Sequence, residues 1–210
     1  MKRIVFFLFC MLFSFSFSAP GKDRSFFFVQ LSDPRLGLCS EDGGFEREKQ
    51  QFKQFIDAIN RLKPAFVVIS GNLVNDRGNA AQLAGFRELC RRIDSKIPIY
   101  LLPGACDVGD EASPEAVQDF IGRYGSDRFV FRKEGCCVIG LNTPVVKAGN
   151  SGQRRQQYDW LEKQLRHAGK YRRRILIGHH PFFVNRPDLR YVGKIHEHLV
   201  RKGRSGLHLT

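Results

Sequence analysis

The chain of 210 residues carries 34 Lys and Arg against 21 Asp and Glu, a formal charge of +13 at neutral pH, with 42% hydrophobic residues and 19 Phe. That length builds one sizeable domain or two small ones, and the apolar content excludes a disordered polybasic chain. Aperiodic Gly and the lack of a sustained heptad exclude a collagen-like or coiled-coil rod, while the cation excess fits either an anionic partner or a solvated basic surface.

Lys2 and Arg3 precede an apolar run from Ile4 to Phe17. It is shorter than the roughly 20 residues that span a bilayer. Small residues at Ser16, Ser18 and Ala19 mark its end, so residues 1–18 read as a signal peptide cleaved after Ser18. No later segment is long and apolar enough to cross a membrane, and the mature chain is expected to be secreted or periplasmic, away from the membrane. Cleavage removes Lys2 and Arg3 and no acid, leaving +11 on the folded part. It also removes Cys10, leaving Cys39, Cys90, Cys106, Cys136 and Cys137. An odd number without a CxxC argues against a disulfide framework or a structural zinc, and for buried free thiols. Cys136 and Cys137, as strand neighbours, should face opposite sides of a sheet.

The apolar run Phe26–Leu31, stopped by Ser32-Asp33-Pro34, predicts a strand. Phe52, Phe55, Ile56 and Ile59 recur at helical spacing within Phe45–Leu62, which Pro64 ends. A strand at Phe66–Ile69, a helix at Ala80–Ile93 and a strand at Pro98–Leu102 follow. Ser113-Pro114-Glu115 is a helix opening, with a capping Ser, Pro at the first helical position and acid in the first turn. Strands are predicted at Phe129–Phe131, Cys137–Leu141 and Ile175–Ile177, helices at Gln153–His167 and Val192–Arg201, and a last strand from Gly206 to Leu209. Strands alternating with helices, and continuously apolar rather than alternating, predict a layered α/β domain with mainly parallel strands from about residue 25 to 210. Ligands of such sheets bind beyond the carboxyl ends of the strands.

Four strand exits are built alike. They are Ser32-Asp33-Pro34-Arg35, Ser70-Gly71-Asn72-Leu73-Val74-Asn75-Asp76, Pro103-Gly104-Ala105-Cys106-Asp107 and Gly178-His179-His180-Pro181. Each joins Gly or Pro to a polar or metal-capable side chain, the signature of a shared mouth. Together with Phe45-Glu46, Ala58-Ile59-Asn60, Lys63-Pro64, Pro98-Ile99-Tyr100, Val108-Gly109 and Leu141-Asn142, this pattern resembles the calcineurin-like metallophosphoesterases, in the subset whose first motif reads Asp-Pro-Gln. The resemblance runs from Phe27 to Thr210. It implies an α/β/β/α sandwich and two divalent cations (Mn, Fe or Zn) about 3.5–4 Å apart that grip a phosphoester for attack by a metal-bound hydroxide.

The motif positions of this chain depart from that pattern. The first-motif Asp is Asp33, but its His or Gln partner is Arg35. The bridging Asp of the second motif falls on Asn72, the metal-binding Asn of the third on Ala105, and its acid His on Cys106. Asp107 keeps the acidic partner of that His, and the lone His of the fourth motif is His179. The chain stops at Thr210, where the resemblance places a final Gly-His-x-His, so the domain is expected to be incomplete there; His196 and His198 lie within a helix and read as surface histidines. A neutral Asn72 removes the anionic bridge between two cations. Arg35 adds a cation, and like charges about 4 Å apart cost on the order of 4 kcal/mol at an effective dielectric of 20. Asp33, Asn72 and His179 are thus residual metal positions, Cys106 and Asp107 a degenerate acid pair, and Arg35 and Asn75 candidate phosphate donors.

Three readings of function follow: a secreted phosphoesterase with impaired metal use, an exported phosphate- or polyanion-binding pseudoenzyme, and a truncated product without function. Specific nucleic-acid binding is not expected. The basic runs Arg91-Arg92, Arg154-Arg155, Arg172-Arg173-Arg174 and Arg201-Lys202 are scattered and not interleaved with stacking aromatics.

Overall fold

The computed structural model describes residues 25–39, 44–181 and 207–209. The expected signal peptide, the helix Val192–Arg201 and the pair His196 and His198 lie outside the described residues.

Two sheets face each other. The first holds β1 (Val29–Leu31), β2 (Val67–Ser70) and β3 (Ile99–Leu102), all parallel and in chain order. Two helices connect them, α1 (Glu46–Leu62) and α2 (Ala80–Cys90). The second sheet holds β4 (Phe129–Lys133), β5 (Cys136–Gly140), β6 (Arg173–Ile177) and β7 (Leu207–Leu209). There β4 pairs antiparallel with β5, and the other pairs are parallel. Along the chain, α3 (Ala105–Val108) and α4 (Pro114–Tyr124) link β3 to β4, and α5 (Thr143–Ala148) and α6 (Ser151–Ala168) link β5 to β6.

Side-chain alternation along the central strands sets four layers. Val67 and Ile69 pack against Phe52, Ile56, Phe86 and Phe120 of α1, α2 and α4. Phe66 and Val68 point the other way, to Phe129, Val138 and Ile177 of the second sheet. Cys137 and Ile139 face Val146 and Leu161 of α5 and α6. The order is therefore helices, sheet, sheet, helices, the expected α/β/β/α sandwich. Cys136 lies in the inter-sheet cluster and Cys137 in the helix-facing one, on opposite faces as their adjacency requires. Phe66 is 0% exposed and stacks on Phe28 with ring centroids 4.7 Å apart. Burying one such ring contributes about 1.5–3 kcal/mol.

Local chemistry explains the boundaries. Asn79 caps α2 by accepting from the N–H of Ala81 and Gln82, and Ser113 caps α4 with Pro114 next to it. Lys63, at φ 51, closes α1 and returns its N–H to the Ile59 carbonyl before Pro64.

Several expectations need correction. The first strand is limited to Val29–Leu31; Phe26 and Phe28 instead wedge their rings between the sheets. α2 ends at Cys90 rather than Ile93, and Arg92 and Ile93 close turns on Leu89 and Cys90. The segment after Pro103-Gly104 forms the short α3, and neither it nor α5 was foreseen. The five described cysteines are free, but only Cys136 and Cys137 are buried; Cys39 is exposed, against the expectation of uniformly buried thiols.

Candidate functional site

The exits of β1, β2, β3 and β6 converge. Past β1 and β2 the two chains stay together: Asp33 and Arg35 donate their N–H to the carbonyls of Gly71 and Asn72 at 3.0 and 2.9 Å, and Leu36 bridges to Val74. Asp33, Arg35 and Asn72 all have left-handed backbones, with φ of 55, 38 and 47. Each such non-glycine costs on the order of 1–3 kcal/mol and persists only where its surroundings enforce it, as functional sites do.

Asn72 is the centre of the cluster and is 8% exposed. Its Nδ2 donates to Asp33 Oδ1 at 2.7 Å, and its Oδ1 accepts from the Cys106 N–H at 2.9 Å. Asp33 Oδ2 accepts from the Ser32 hydroxyl at 2.5 Å. Gly104 must be glycine because a Cβ there would collide with the Asn72 backbone nitrogen. Asp107 is 5% exposed and accepts from Leu73 N at 3.0 and 3.2 Å and from Gly104 N at 2.8 Å. It therefore staples the second and third exits together. Burial pushes its carboxyl up to about 6, against the backbone donors that pull it down.

His179 crosses from the second sheet to the first. Its Nδ1 lies 2.8 Å from the Ser70 carbonyl, so that nitrogen carries the proton and Nε2 is the free one. Thr143 Oγ1 accepts from the N–H of both His179 and His180, at 3.0 and 2.9 Å, fixing this turn. His180 Nδ1 is buried without a partner, and burial, then the neighbouring His179 and Lys147, hold the ring down to about 4. His180 is therefore neutral.

Arg35 brings the cation. Its Nη2 donates to Asn75 Oδ1 at 3.2 Å, and its guanidinium also reaches the Cys106 sulfur. Its Nε is buried with no acceptor. Burial raises the Cys106 thiol, against the opposing pull of Arg35, so the sulfur stays protonated at neutral pH.

The structure thus joins all the candidate residues. Asp33, Asn72 and Cys106 form one hydrogen-bonded chain, Arg35 ties Cys106 to Asn75, Asp107 binds the loops from behind, and His179 closes the mouth from the other sheet. Ser70 and His180, both part of the exits quoted above, complete the turn, and Thr143 joins them without having been singled out. Thr143 directly follows the Leu141-Asn142 exit of β5, which is the one sequence signal that points to it.

The donor set does not fit two divalent cations. Both polar ends of the Asn72 amide are spent, one on Asp33 and one on a backbone N–H. Ala105 offers a methyl group, and Arg35 places a positive charge against Cys106. Among the described residues no three His, Cys, Asp or Glu are grouped so as to hold a metal ion.

Residues 28–202 match the family described as calcineurin-like phosphoesterase. The sequence is 33% identical over 178 residues to a serine/threonine-protein phosphatase CPPED1 of Bos taurus, covering 76% of this chain and 57% of the relative. The Danio rerio protein of the same name is 30% identical over 201 residues, covering 84% of this chain and 65% of the relative. The chain thus spans less than two thirds of the length of these relatives. Among solved structures, a dimetal phosphatase from Danio rerio superposes with a TM-score of 0.56 at 13% identity, covering 86% of this chain and 78% of that one. A purple acid phosphatase from yellow lupin gives 0.52 at 16%, covering 74% and 30%. At such identities these two likenesses speak for the fold.

Proposed function

The chain belongs to the calcineurin-like phosphoesterase family, and from that premise we propose that it is an exported phosphate- or phosphoester-binding member in which two-metal hydrolysis is lost. The observation that carries this reading is the Asn72 amide bridging Asp33 Oδ1 and the Cys106 N–H. Where the family resemblance puts an anionic bridge between cations, a neutral group already saturated by hydrogen bonds stands instead.

The same mouth keeps what anion binding needs. Arg35 is held in place by Asn75 and has a buried Nε with no acceptor. A guanidinium presents several N–H donors in a fixed fork suited to phosphate. Asp33, a carboxylate at the rim, has its oxygens engaged by Asn72 and Ser32.

The test is a phosphatase assay beside a binding titration. Purified protein with Mn²⁺ and a chromogenic phosphoester should turn over no faster than a His179→Ala control. Calorimetry should show phosphate binding that EDTA leaves unchanged and Arg35→Ala abolishes. Metal-dependent turnover that His179→Ala removes, or binding that vanishes on chelation, overturns the proposal. Export rests on the Lys2-Arg3 and Ile4–Phe17 pattern. A secreted product whose first residue is Ala19 supports it, and retention of residues 1–18 in the cell counts against it.

A further inference from the structure

A second cavity, of about 400 Å³, opens on the outer helical layer, where the last turns of α2 and α4 meet over β3. Its volume lies within the range of small-molecule sites. Phe86, Leu101 and the Tyr124 ring form an apolar wall, and Arg87, Arg91 and Arg123 surround it. It shares no residue with the mouth around Asn72.

The polar side chains of this wall are donors. Arg123 pairs with Asp119 at 2.5 Å and donates to the Arg77 carbonyl at 3.0 Å, which fixes its position. Arg87 lies over the Tyr124 ring, 5.9 Å from its centroid. Among the described residues no carboxylate pairs with Arg87 or Arg91. No Asp or Glu lines the cavity. The Tyr124 hydroxyl is buried and has no hydrogen-bond partner. Burial pushes both Tyr124 and the neighbouring Cys90 up to about 12, so both remain protonated at neutral pH.

Cations near helix C-termini are favoured by the helix dipole, which accounts for the placement of the arginines. It does not account for the hydroxyl. A buried O–H without an acceptor costs about 1–3 kcal/mol, and water or a ligand that supplies the acceptor removes that cost.

We infer that this cavity is a second binding site, for a small organic anion with an oxyanion head and an apolar body. The head meets Arg87, Arg91 and the Tyr124 hydroxyl, and the body lies on Leu101 and the aromatic rings. Carboxylate and phosphate heads share this chemistry, since a guanidinium fork matches both.

The test uses the full chain carrying Arg35→Ala, so that the mouth does not contribute. Calorimetry with phenyl phosphate and with benzoate should show one equivalent bound by at least one probe, and the tighter probe identifies the head. Inorganic phosphate, lacking the apolar body, should bind at least about tenfold more weakly than phenyl phosphate. Adding Arg87→Ala and Arg91→Ala should weaken the better probe by about tenfold or more, as loss of charge-assisted hydrogen bonds does. Tyr124→Phe keeps the ring and the fold and should weaken it about three- to tenfold. No binding of either aromatic probe to the Arg35→Ala chain, or an affinity unmoved by the arginine and tyrosine substitutions, overturns the inference. Neither result bears on the mouth, whose own test is Arg35.

Discussion

Asn72 donates from Nδ2 to Asp33 Oδ1 at 2.7 Å, so the acidic side chain at the rim of the mouth is balanced by an amide. Replacing Asn72 by Asp turns that donor into a second carboxylate. Two carboxylates at this distance repel, by about 1 kcal/mol in a watery setting and more where the dielectric falls. Asp33 is exposed but Asn72 is only 8% exposed, so the repulsion exceeds that lower limit, and the lost hydrogen bond adds about 1 kcal/mol. Asn72→Asp should therefore lower the melting temperature in EDTA, and Mn²⁺ should restore it. The unsubstituted chain should show no comparable response to Mn²⁺. Thermal melts of both proteins with and without metal check this.

Asp107 and His180 predict a pH signature with opposing limbs. Folded Asp107 keeps its proton up to about 6, whereas an unfolded Asp releases it near 3.9. Between those values the folded state binds more protons, so this group lowers stability as pH rises, by on the order of 3 kcal/mol in all. Folded His180 refuses its proton until about 4, whereas an unfolded His takes it near 6.5. That group lowers stability as pH falls through the same window. The unsubstituted chain should be flatter between pH 4 and 6 than Asp107→Asn, in which only the His180 limb remains and stability drops steadily on acidification. Urea midpoints across that range decide it, and identical profiles would refute the balance.

Much of the architecture was legible because it rests on local signals. Continuous apolar runs marked the strands buried on both faces, and Gly or Pro beside a polar residue marked the exits that build the mouth. The short helices were not legible. α3 and α5 hold 4 and 6 residues, too few for a hydrophobic period, and each depends on a cap and on packing from elsewhere. The consequences of Asn72 were half legible. Its neutrality is a fact of sequence, but the saturation of its amide depends on Asp33 and Cys106, 39 and 34 residues away. Thr143 serves two backbone N–H groups 36 and 37 residues later, a relation that spacing does not encode.

That relation gives a positioning test. Thr143→Val keeps the shape and removes the acceptor for the His179 and His180 N–H groups. Two partly buried donors are then left open, at a cost of about 1–3 kcal/mol each where water does not reach them. Thr143→Ser keeps the oxygen. Urea denaturation should place the Val variant well below the parent and the Ser variant close to it. Phosphate binding should weaken in the Val variant alone, because the turn that carries His179 is no longer fixed. Equal loss in both variants would mean that the methyl group, and not the oxygen, holds the turn.

Gly104 tests whether the mouth depends on close backbone approach rather than on flexibility. Its φ of −108 is open to any residue, so a substitution there carries no left-handed strain. A Cβ would, however, collide with the Asn72 backbone nitrogen and lie 2.5 Å from Asn72 Oδ1, the atom that accepts from Cys106. Neither is a movable side-chain tip, since the amide is pinned at both ends. Gly104→Ala should cost about 1–3 kcal/mol through this overpacking and should weaken phosphate binding with it. Gly122, inside α4, has open space where a Cβ would stand, with nothing within 4 Å, and Gly122→Ala should instead stabilise by about 0.5–1 kcal/mol through helix propensity. Melting curves that move in opposite directions for these two identical substitutions would locate the requirement for glycine in the contact with Asn72. A Gly104→Ala protein as stable as its parent would remove the rigid amide on which the proposed loss of metal chemistry rests.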